Sequence, residues 1–328
     1  MTATTMKAAR LHTLGDPDVL RYEDVPRPEP GPGEVLVRVH AAGVNPPDWY
    51  ARRGFANVPE SIRVTVPLPL IPGTDVSGVV TALGRGVTEW TVGDEVYGLL
   101  RFPSLGGQGY AEYTTAPVAD LARKPAGLDH VHAAGVPMAA LTAYQILFDH
   151  AGLRPDAGPD RTVLVNGAAG GVGHFAVQLA KTVGARVIAV ASGRHEEFLL
   201  DLGADRFVDY TVTAAEEVVQ DVDLLVDAVG GPDAHRFLSI VRRGGTISPV
   251  FLGDYHPDRA KELGIDFRTG QVKSSGAQLT ELGRLIEAGL VRVAVDSVYP
   301  LERAAEAHER AERGHIQGKI VLRVVEGE

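Results

Sequence analysis

A glycine-rich loop between an apolar run and a helix-like pattern limits the folds open to this chain more than any other feature. The stretch is "TVLVNGAAGGVGHFAVQLAK", residues 162–181, with four glycines within seven residues. Its spacing, Ala168-x-Gly170-x-x-Gly173, matches the dinucleotide-binding fingerprint except that alanine replaces the first glycine. Alanine fits there if its φ is negative. A purely structural glycine-rich turn is the alternative interpretation.

The pattern after the loop favours the nucleotide interpretation, because strand-like and helix-like segments alternate. Strands are predicted at 162–165, 186–191, 206–208, 224–228 and 246–249. Helices are predicted at 174–183, 195–202, 214–220 and 233–241. Repeated βα units of this length form a parallel sheet covered by helices on both faces. The chain therefore predicts a doubly wound α/β architecture.

The first part of the chain has a different rhythm. Residues 7–125 contain short alternating runs such as "EVLVRVHAAGV", interrupted by glycine and proline. This pattern predicts a mostly β domain, a partly open barrel. The tail, with two amphipathic helices and strands at 291–298 and 319–325, is expected to rejoin it. We therefore expect residues 1–128 and 273–328 to form a substrate domain and residues 129–272 a cofactor domain.

Composition removes several classes of function. Lys and Arg total 32 against 42 Asp and Glu, so the formal net charge is −10, which disfavours nucleic-acid binding. The chain has no cysteine, which excludes disulfides and cysteine-ligated metals. No stretch approaches the roughly 20 apolar residues of a membrane span, and the first residues do not resemble an export signal. We expect a cytoplasmic protein with neither a nucleic-acid nor a membrane partner.

The residues after the glycine loop favour NADPH over NADH. We expect the loop to hold a pyrophosphate at the start of a helix, through Gly167, Ala168, Ala169, Gly170, Gly171, Val172 and Gly173. In NAD-binding versions an acid follows about 20 residues later. Here that region holds Ser192, Arg194 and His195, and a hydroxyl beside a guanidinium favours a 2′-phosphate. The alternative is that Arg194 is a solvated residue at a helix start.

Further motifs along the chain carry a family resemblance. They are "AAGVNPPDWYARRG", "IPGTDVSGVV", "VGDEVYG", "LTAY" and "GHIQGKIVLRV". Together with the loop, they make the chain resemble the medium-chain dehydrogenase/reductase superfamily, in its zinc-free quinone oxidoreductase and enone reductase branch. The resemblance implies a Rossmann domain, a GroES-like partly open β-barrel domain, and a homodimer. The dimer would form through the edge strand of the Rossmann sheet, for which residues 265–271 are the candidate.

The positions that hold catalytic zinc in other branches do not supply the usual three protein ligands here, because only two of them are carboxylates. They correspond to Asp48, to Thr74 and Asp75, and to Met138. Threonine and methionine are poor zinc ligands, so we expect no metal. Asp48 is expected to be a structural hydrogen-bond acceptor.

The resemblance also assigns site residues. Asn45 would donate an amide N–H near the nicotinamide, and Tyr50 would line the reaction site, unless it only packs between domains. A second tyrosine of the relatives is replaced by Ala56. The proton donor therefore stays open between water and a ribose hydroxyl.

Several other residues are assigned to the cofactor in the same way, namely Thr142, Tyr210, Val250, Phe251, Gly318 and Lys319. Thr142 and Tyr210 have the alternative of ordinary packing, and Lys319 that of a solvated charge at a strand end. The aromatic side chains Trp49, Phe55, Phe102 and Phe251 are candidates for an apolar substrate wall.

The leading hypothesis is an NADPH-dependent, zinc-independent reductase of quinones or α,β-unsaturated carbonyls. A second hypothesis is an enoyl-thioester reductase of a biosynthetic pathway, with Arg52, Arg53 and Arg63 available for a phosphopantetheine arm. A third is a non-catalytic NADPH-binding or redox-sensing protein.

Overall fold

The computed structural model describes residues 4–154 and 158–325, and most of its strands lie in two large sheets. The first part of the chain is mainly β. It contains β1 (Thr5–Leu11), β2 (Leu20–Pro26), β3 (Glu34–Val44), α1 (Pro46–Arg52), β4 (Asp75–Leu83), β5 (Glu95–Leu99), β6 (Tyr113–Pro117) and β7 (Leu121–Arg123). The alternation predicted from "EVLVRVH" is confirmed, because Val35, Val37 and Val39 of β3 are fully buried.

The middle of the chain forms a parallel sheet. It contains α2 (His130–Ala134), α3 (Pro137–Tyr144), β8 (Thr162–Asn166), α4 (Gly171–Thr182), β9 (Arg186–Ala191), α5 (Glu196–Asp201), β10 (Arg206–Asp209), α6 (Ala215–Val218), β11 (Val222–Asp227), β12 (Val241–Pro249), α7 (Pro257–Leu263) and β13 (Asp266–Phe267). The strand order is β10-β9-β8-β11-β12-β13, so the chain reverses direction across the sheet between β8 and β11. A crevice opens at such a reversal, beyond the carboxyl ends of the strands. The doubly wound fold is confirmed.

The tail returns to the first sheet. It contains α8 (Gly276–Glu287), β14 (Val295–Pro300), α9 (Ala304–Glu312) and β15 (Lys319–Arg323). Strand β15 pairs antiparallel with β3, and Ile320 lies opposite Val44. The start of β15 therefore lies next to the end of β3, where α1 begins.

One predicted helix is wrong. Residues 233–241 form a 3₁₀ turn, Ala234–Ser239, followed by β12. The chain is extended at Val241 because that residue pairs with Val222 at the start of β11. Among residues 4–154 and 158–325, none of the helices combines the length and hydrophobicity that a bilayer crossing requires.

Candidate active site

The glycine loop joins the end of β8 to the start of α4, in the predicted strand–loop–helix context. Gly167 adopts a φ of 74°, and Ala168 is not among the described residues with positive φ, so the alanine is accommodated. A Cβ on Gly173 would lie 2.2 Å from the carbonyl oxygen of Gly167. Glycine at this position therefore lets α4 approach the loop, and the first amides of α4 face the crevice.

A cavity of about 470 Å³ lies against this loop. Many of the predicted site residues line it, namely Asn45, Tyr50, Thr142, Gly167, Gly170, Gly171, Val172, Gly173, Val250, Phe251 and Lys319. Within the loop, Ala168 and Ala169 are buried, and the Gly318 N–H donates to the Ala169 carbonyl (2.8 Å). The open loop backbone, the helix start and the adjoining cavity fit a dinucleotide.

Ser192, Arg194 and His195 follow the end of β9 and Tyr210 follows the end of β10, and none of the four is among the residues that line this cavity. Arg194 is exposed, and its guanidinium contacts the His195 ring (3.0 Å) and donates to the His315 carbonyl. His195 is buried, with Nδ1 2.9 Å from Gln317 Oε1. Tyr210 leaves about half of its surface exposed, at 48%. An exposed guanidinium therefore stands at the carboxyl end of β9.

Sequence reasoning missed Asp209, at the end of β10. Its carboxylate Oδ1 accepts from the Thr211 N–H (2.9 Å), and a Cβ on Gly193 would lie 2.4 Å from Oδ2. Hydrogen bonds from Thr211 lower the pKa of Asp209 below its usual range. The carboxylate is therefore ionised and holds the turn after β9. The sequence around Asp209 carries no pattern that predicts its contacts with Thr211 and Gly193.

Asn45 is held at both ends of its side-chain amide. It caps α1, and its backbone N–H donates to Asp48 Oδ2 (2.8 Å). Its Nδ2 donates to Asp75 Oδ2 (2.9 Å), while its Oδ1 accepts from Lys319 Nζ. One amide N–H is thus committed to Asp75, and the orientation of the amide in the cavity wall is fixed.

Lys319 is buried, not solvated. Its Nζ donates to the Val44 carbonyl (3.0 Å) as well as to Asn45, and lies 3.9 Å from Asp75 Oδ2. Its stem packs near Gly171, where a Cβ would lie 3.1 Å from Cδ. Burial lowers the pKa of the Lys319 ammonium, and the Asp75 carboxylate opposes this effect. This lysine therefore links the first sheet to the glycine loop.

Tyr50 faces the parallel sheet across the cavity. Its ring centroid lies 5.4 Å from that of Phe251 and 5.7 Å from that of Trp49. Burial raises the pKa of Tyr50 above its usual value, so its hydroxyl keeps its proton. Trp49, Phe55 and Phe102 line the same cavity, as predicted for an apolar wall. Tyr50 both lines the cavity and packs across it.

Comparison with known proteins identifies the family. The family model "Alcohol dehydrogenase GroES-like domain" matches residues 31–126, and "Zinc-binding dehydrogenase" matches residues 202–322. The chain is 32% identical to "NAD(P)H oxidoreductase RTN4IP1, mitochondrial" of Danio rerio, over 98% of this chain and 92% of that protein. The chain belongs to the medium-chain dehydrogenase/reductase superfamily.

Other members of the superfamily place the chain in its quinone oxidoreductase branch. It is 35% identical to "NADPH-dependent alkenal/one oxidoreductase, chloroplastic" of Arabidopsis thaliana, over 97% of this chain and 79% of that protein. The quinone oxidoreductase of Coxiella burnetii superposes with a TM-score of 0.86 at 32% identity, over 98% of this chain and all of that one. The resemblance, the Rossmann fold and the GroES-like domain are therefore confirmed. The chain is an oxidoreductase with a nicotinamide cofactor.

Among the superfamily's zinc positions, the two carboxylates accept hydrogen bonds from groups of the protein itself, whereas the buried Thr74 hydroxyl has no partner among the described residues. Asp48 accepts from the Gly73 N–H (3.1 Å) and the Tyr110 hydroxyl (3.3 Å), and Asp75 accepts from the Met138 N–H (2.9 Å). Burial raises the pKa of Asp48 to about 7 and that of Asp75 to about 6. Two carboxylates committed to internal donors, a threonine and a methionine do not fit the ligand set of a catalytic zinc.

The arginines considered for a phosphopantetheine arm do not converge on a channel. Arg52 is fully buried, donates to the Gly15 carbonyl (2.9 Å) and pairs with Glu312 (2.5 Å). Arg53 also pairs with Glu312 (3.0 Å), whereas Arg63 donates to the Val58 carbonyl (3.1 Å). Arg52 and Arg53 therefore clamp α1 to α9, and both guanidinium groups are paired with Glu312.

Proposed function

We propose that this oxidoreductase uses NADPH to reduce a quinone or an α,β-unsaturated carbonyl compound, without zinc. The observation that carries the proposal is the aromatic cavity that adjoins the glycine loop, lined by Trp49, Tyr50, Phe102 and Phe251. Flat, apolar, electron-poor acceptors suit such a wall. The names of the quinone and alkenal/one oxidoreductases to which the chain is similar agree with this substrate class.

The cofactor would be held along the carboxyl edge of the parallel sheet. We assign the pyrophosphate to the glycine loop and the start of α4, and the 2′-phosphate to Ser192, Arg194 and Tyr210. Thr142, the backbone at Val250 and Phe251, and Lys319 would hold the nicotinamide half. This assignment is supported by the exposed guanidinium at the end of β9 and by the cavity that those last residues share.

Bound NADPH supplies the hydride, and the chain's own residues prepare the acceptor. The oxygen that gains negative charge during reduction needs hydrogen-bond donors and a proton, not a Lewis acid. Tyr50 stays protonated because its pKa is raised, which makes it a donor rather than a base. Asn45 offers its second amide N–H from an orientation fixed by Asp75 and Lys319. The proton itself comes from water or a ribose hydroxyl.

We further propose the organisation around this site. Residues 1–128 and 273–328 form the substrate domain and residues 129–272 the cofactor domain; residues 1–3 and 326–328 lie outside the described part of the chain. The edge position of β13 supports a homodimer through this strand. We also propose a cytoplasmic location and, from the net charge of −10, no nucleic-acid partner.

The decisive experiment is an assay of NADPH oxidation against quinones, enals, enones and enoyl thioesters, with NADH in parallel and with EDTA added. We expect quinones or enones to be reduced with NADPH in preference to NADH, and EDTA to leave the rate unchanged. Equal use of NADH would contradict the assignment of Ser192 and Arg194. Loss of activity with EDTA would contradict the zinc-independent reaction. Preference for thioesters would favour the enoyl-thioester reductase. Cofactor binding without NADPH oxidation by any quinone or enone would favour the non-catalytic NADPH-binding protein.

A further inference from the structure

Outside the cofactor cavity, two loops at the carboxyl edge of the parallel sheet bring two histidines and an aspartate together. His235 lies in the 3₁₀ turn after β11, and Asp254 and His256 lie in the loop after β12. One potential ligand atom from each side chain lies within 4.8 Å of the other two. His256 Nε2 lies 3.5 Å from Asp254 Oδ2.

The backbone holds these two loops together. The Gly231 N–H donates to the Leu252 carbonyl (3.0 Å), and the Asp254 N–H donates to the Gly231 carbonyl (2.9 Å). The rings of His235 and His256 are stacked, with centroids 4.2 Å apart and planes 10° from parallel. The backbone hydrogen bonds between the two loops therefore keep the three side chains within reach of one another.

The cluster leaves a nitrogen without a partner. His235 Nδ1 is buried and has no hydrogen-bond partner among the described residues. Burying such an atom costs free energy unless something binds it. Asp254 and His256 are exposed, so an ion can enter from solvent. The neighbouring Arg236 stacks on Phe237 and lies 3.8 Å from Glu216, so its charge is paired elsewhere.

We propose that His235, Asp254 and His256 bind a divalent transition-metal ion of the zinc class. Two imidazoles and one carboxylate supply three ligands, and water completes a tetrahedral set. Imidazole nitrogen favours Zn²⁺, Co²⁺ or Ni²⁺ over Mg²⁺ and Ca²⁺, which prefer oxygen ligands. Ligands about 2.1 Å from a tetrahedral ion lie roughly 3.4 Å apart, and the ion lies in the plane of each imidazole ring, so binding requires the exposed His256 ring to rotate out of its stack with His235.

The ion would join the loop after β11 to the loop after β12. Val229 and Phe251, the cavity-lining residues of these same loops, stand only a few positions before the ligands in sequence. Metal binding therefore fastens one edge of the cofactor cavity without taking part in hydride transfer. It is also separate from the superfamily's zinc positions at Asp48, Thr74 and Met138.

The test uses the full chain, stripped with EDTA and desalted. Zn²⁺ binding is measured by calorimetry, with Mg²⁺ in parallel, and the unfolding midpoint Tm is measured with and without Zn²⁺. The variants are His235→Ala and His256→Asn, because His256 has a φ of 45° and asparagine tolerates that conformation. The matched control is His132→Ala, which breaks an exposed His–Asp pair (2.8 Å to Asp129) for which the described residues supply no third ligand.

We expect one Zn²⁺ per chain and a rise in Tm with Zn²⁺. Each cluster variant should lower the Zn²⁺ affinity by at least about tenfold, whereas His132→Ala leaves it unchanged. The variants' own unfolding transitions show that they are folded. The proposal is overturned if the wild type does not bind Zn²⁺, if Mg²⁺ binds as tightly, or if the control loses as much affinity as the cluster variants.

Discussion

At the scale of single residues, Arg194 is the side chain proposed to distinguish NADPH from NADH. Replacing it with glutamine removes the charge-assisted hydrogen bonds proposed for the 2′-phosphate, which are worth about 1.5–3 kcal/mol. We expect Arg194→Gln to raise the KM for NADPH roughly tenfold to a hundredfold and to leave the KM for NADH unchanged. Steady-state kinetics with both cofactors measures this. Arg186→Gln, at the exposed opposite end of β9, is the control and should change neither value.

His308 makes stability depend on pH in a direction that follows from its burial. Burial, followed by the charge of Arg52, lowers the pKa of His308 to about 3, so it stays neutral in the fold. In the unfolded chain it gains a proton below about pH 6.5. Its contribution to stability is therefore complete above that pH and is lost progressively as pH falls from 6.5 towards 3.

The variant His308→Gln lacks this proton linkage. Between pH 7.5 and pH 5 the free energy of unfolding of the wild type should fall by about 2 kcal/mol more than that of the variant. Urea unfolding at the two pH values measures the difference. If the gap between wild type and variant stayed the same at both pH values, His308 would not be the neutral group that its burial implies.

At the scale of elements, the sequence predicted what local patterns determine. The prediction for 186–191 coincides with β9, because a buried apolar run bounded by turn residues reads as a strand wherever it packs. The prediction for 233–241 failed because pairing between Val241 and Val222 overrides a helix-like pattern. Secondary structure was thus predictable except where a distant strand decides it.

The candidate site likewise has one part that a local sequence pattern predicts and another that contacts between distant residues determine. The glycine loop is a continuous motif, so its position between a strand and a helix could be predicted from the sequence. The contacts of Lys319 with Asn45, and of Glu312 with Arg52, join residues separated by most of the chain. No local periodicity encodes such contacts, which is why Lys319 was still open between cofactor contact and solvated charge.

We expect Gly170 and Gly173, the two glycines of the fingerprint, to serve different purposes, and an alanine substitution at each position tests this. A Cβ at Gly173 would meet the Gly167 backbone at 2.2 Å, whereas one at Gly170 would lie 3.4 Å from the same carbonyl oxygen. We expect Gly173→Ala to destabilise the fold by about 1–3 kcal/mol through overpacking of α4. Gly170→Ala should keep the stability of the wild type but raise the KM for NADPH, because its methyl group would face the site proposed for the pyrophosphate.

Thermal unfolding and cofactor kinetics on both variants give the comparison. Gly127→Ala serves as the control, because a Cβ there meets nothing within 4 Å. Equal stability of Gly170→Ala and Gly173→Ala would contradict the proposed division of roles.

At the scale of the whole molecule, the cofactor helix is fastened to the tail of the chain. The side chain of Gln178 in α4 donates to the Arg292 carbonyl (3.0 Å) and accepts from the Arg292 N–H (2.7 Å). The Ala294 N–H lies 3.4 Å from His174 Nε2 of the same helix, and the Gly318 N–H donates to the Ala169 carbonyl of the glycine loop. The tail therefore supports α4 through residues 292–294, while its last strand, β15, places Lys319 against the glycine loop.

Removing the hydrogen bonds of Gln178 tests whether the tail stabilises both the fold and the cofactor helix. Gln178 is 3% exposed, and Gln178→Ala leaves both backbone groups of Arg292 without this partner. We expect a loss of about 2 kcal/mol in the free energy of unfolding, since each unpaired buried polar group costs about 1–3 kcal/mol and water restores part of it. We also expect a higher KM for NADPH, because α4 carries the amides proposed to hold the pyrophosphate. Gln220→Ala, at an exposed position, is the control. If Gln178→Ala and Gln220→Ala had the same stability and the same KM for NADPH, the tail would not support the cofactor helix.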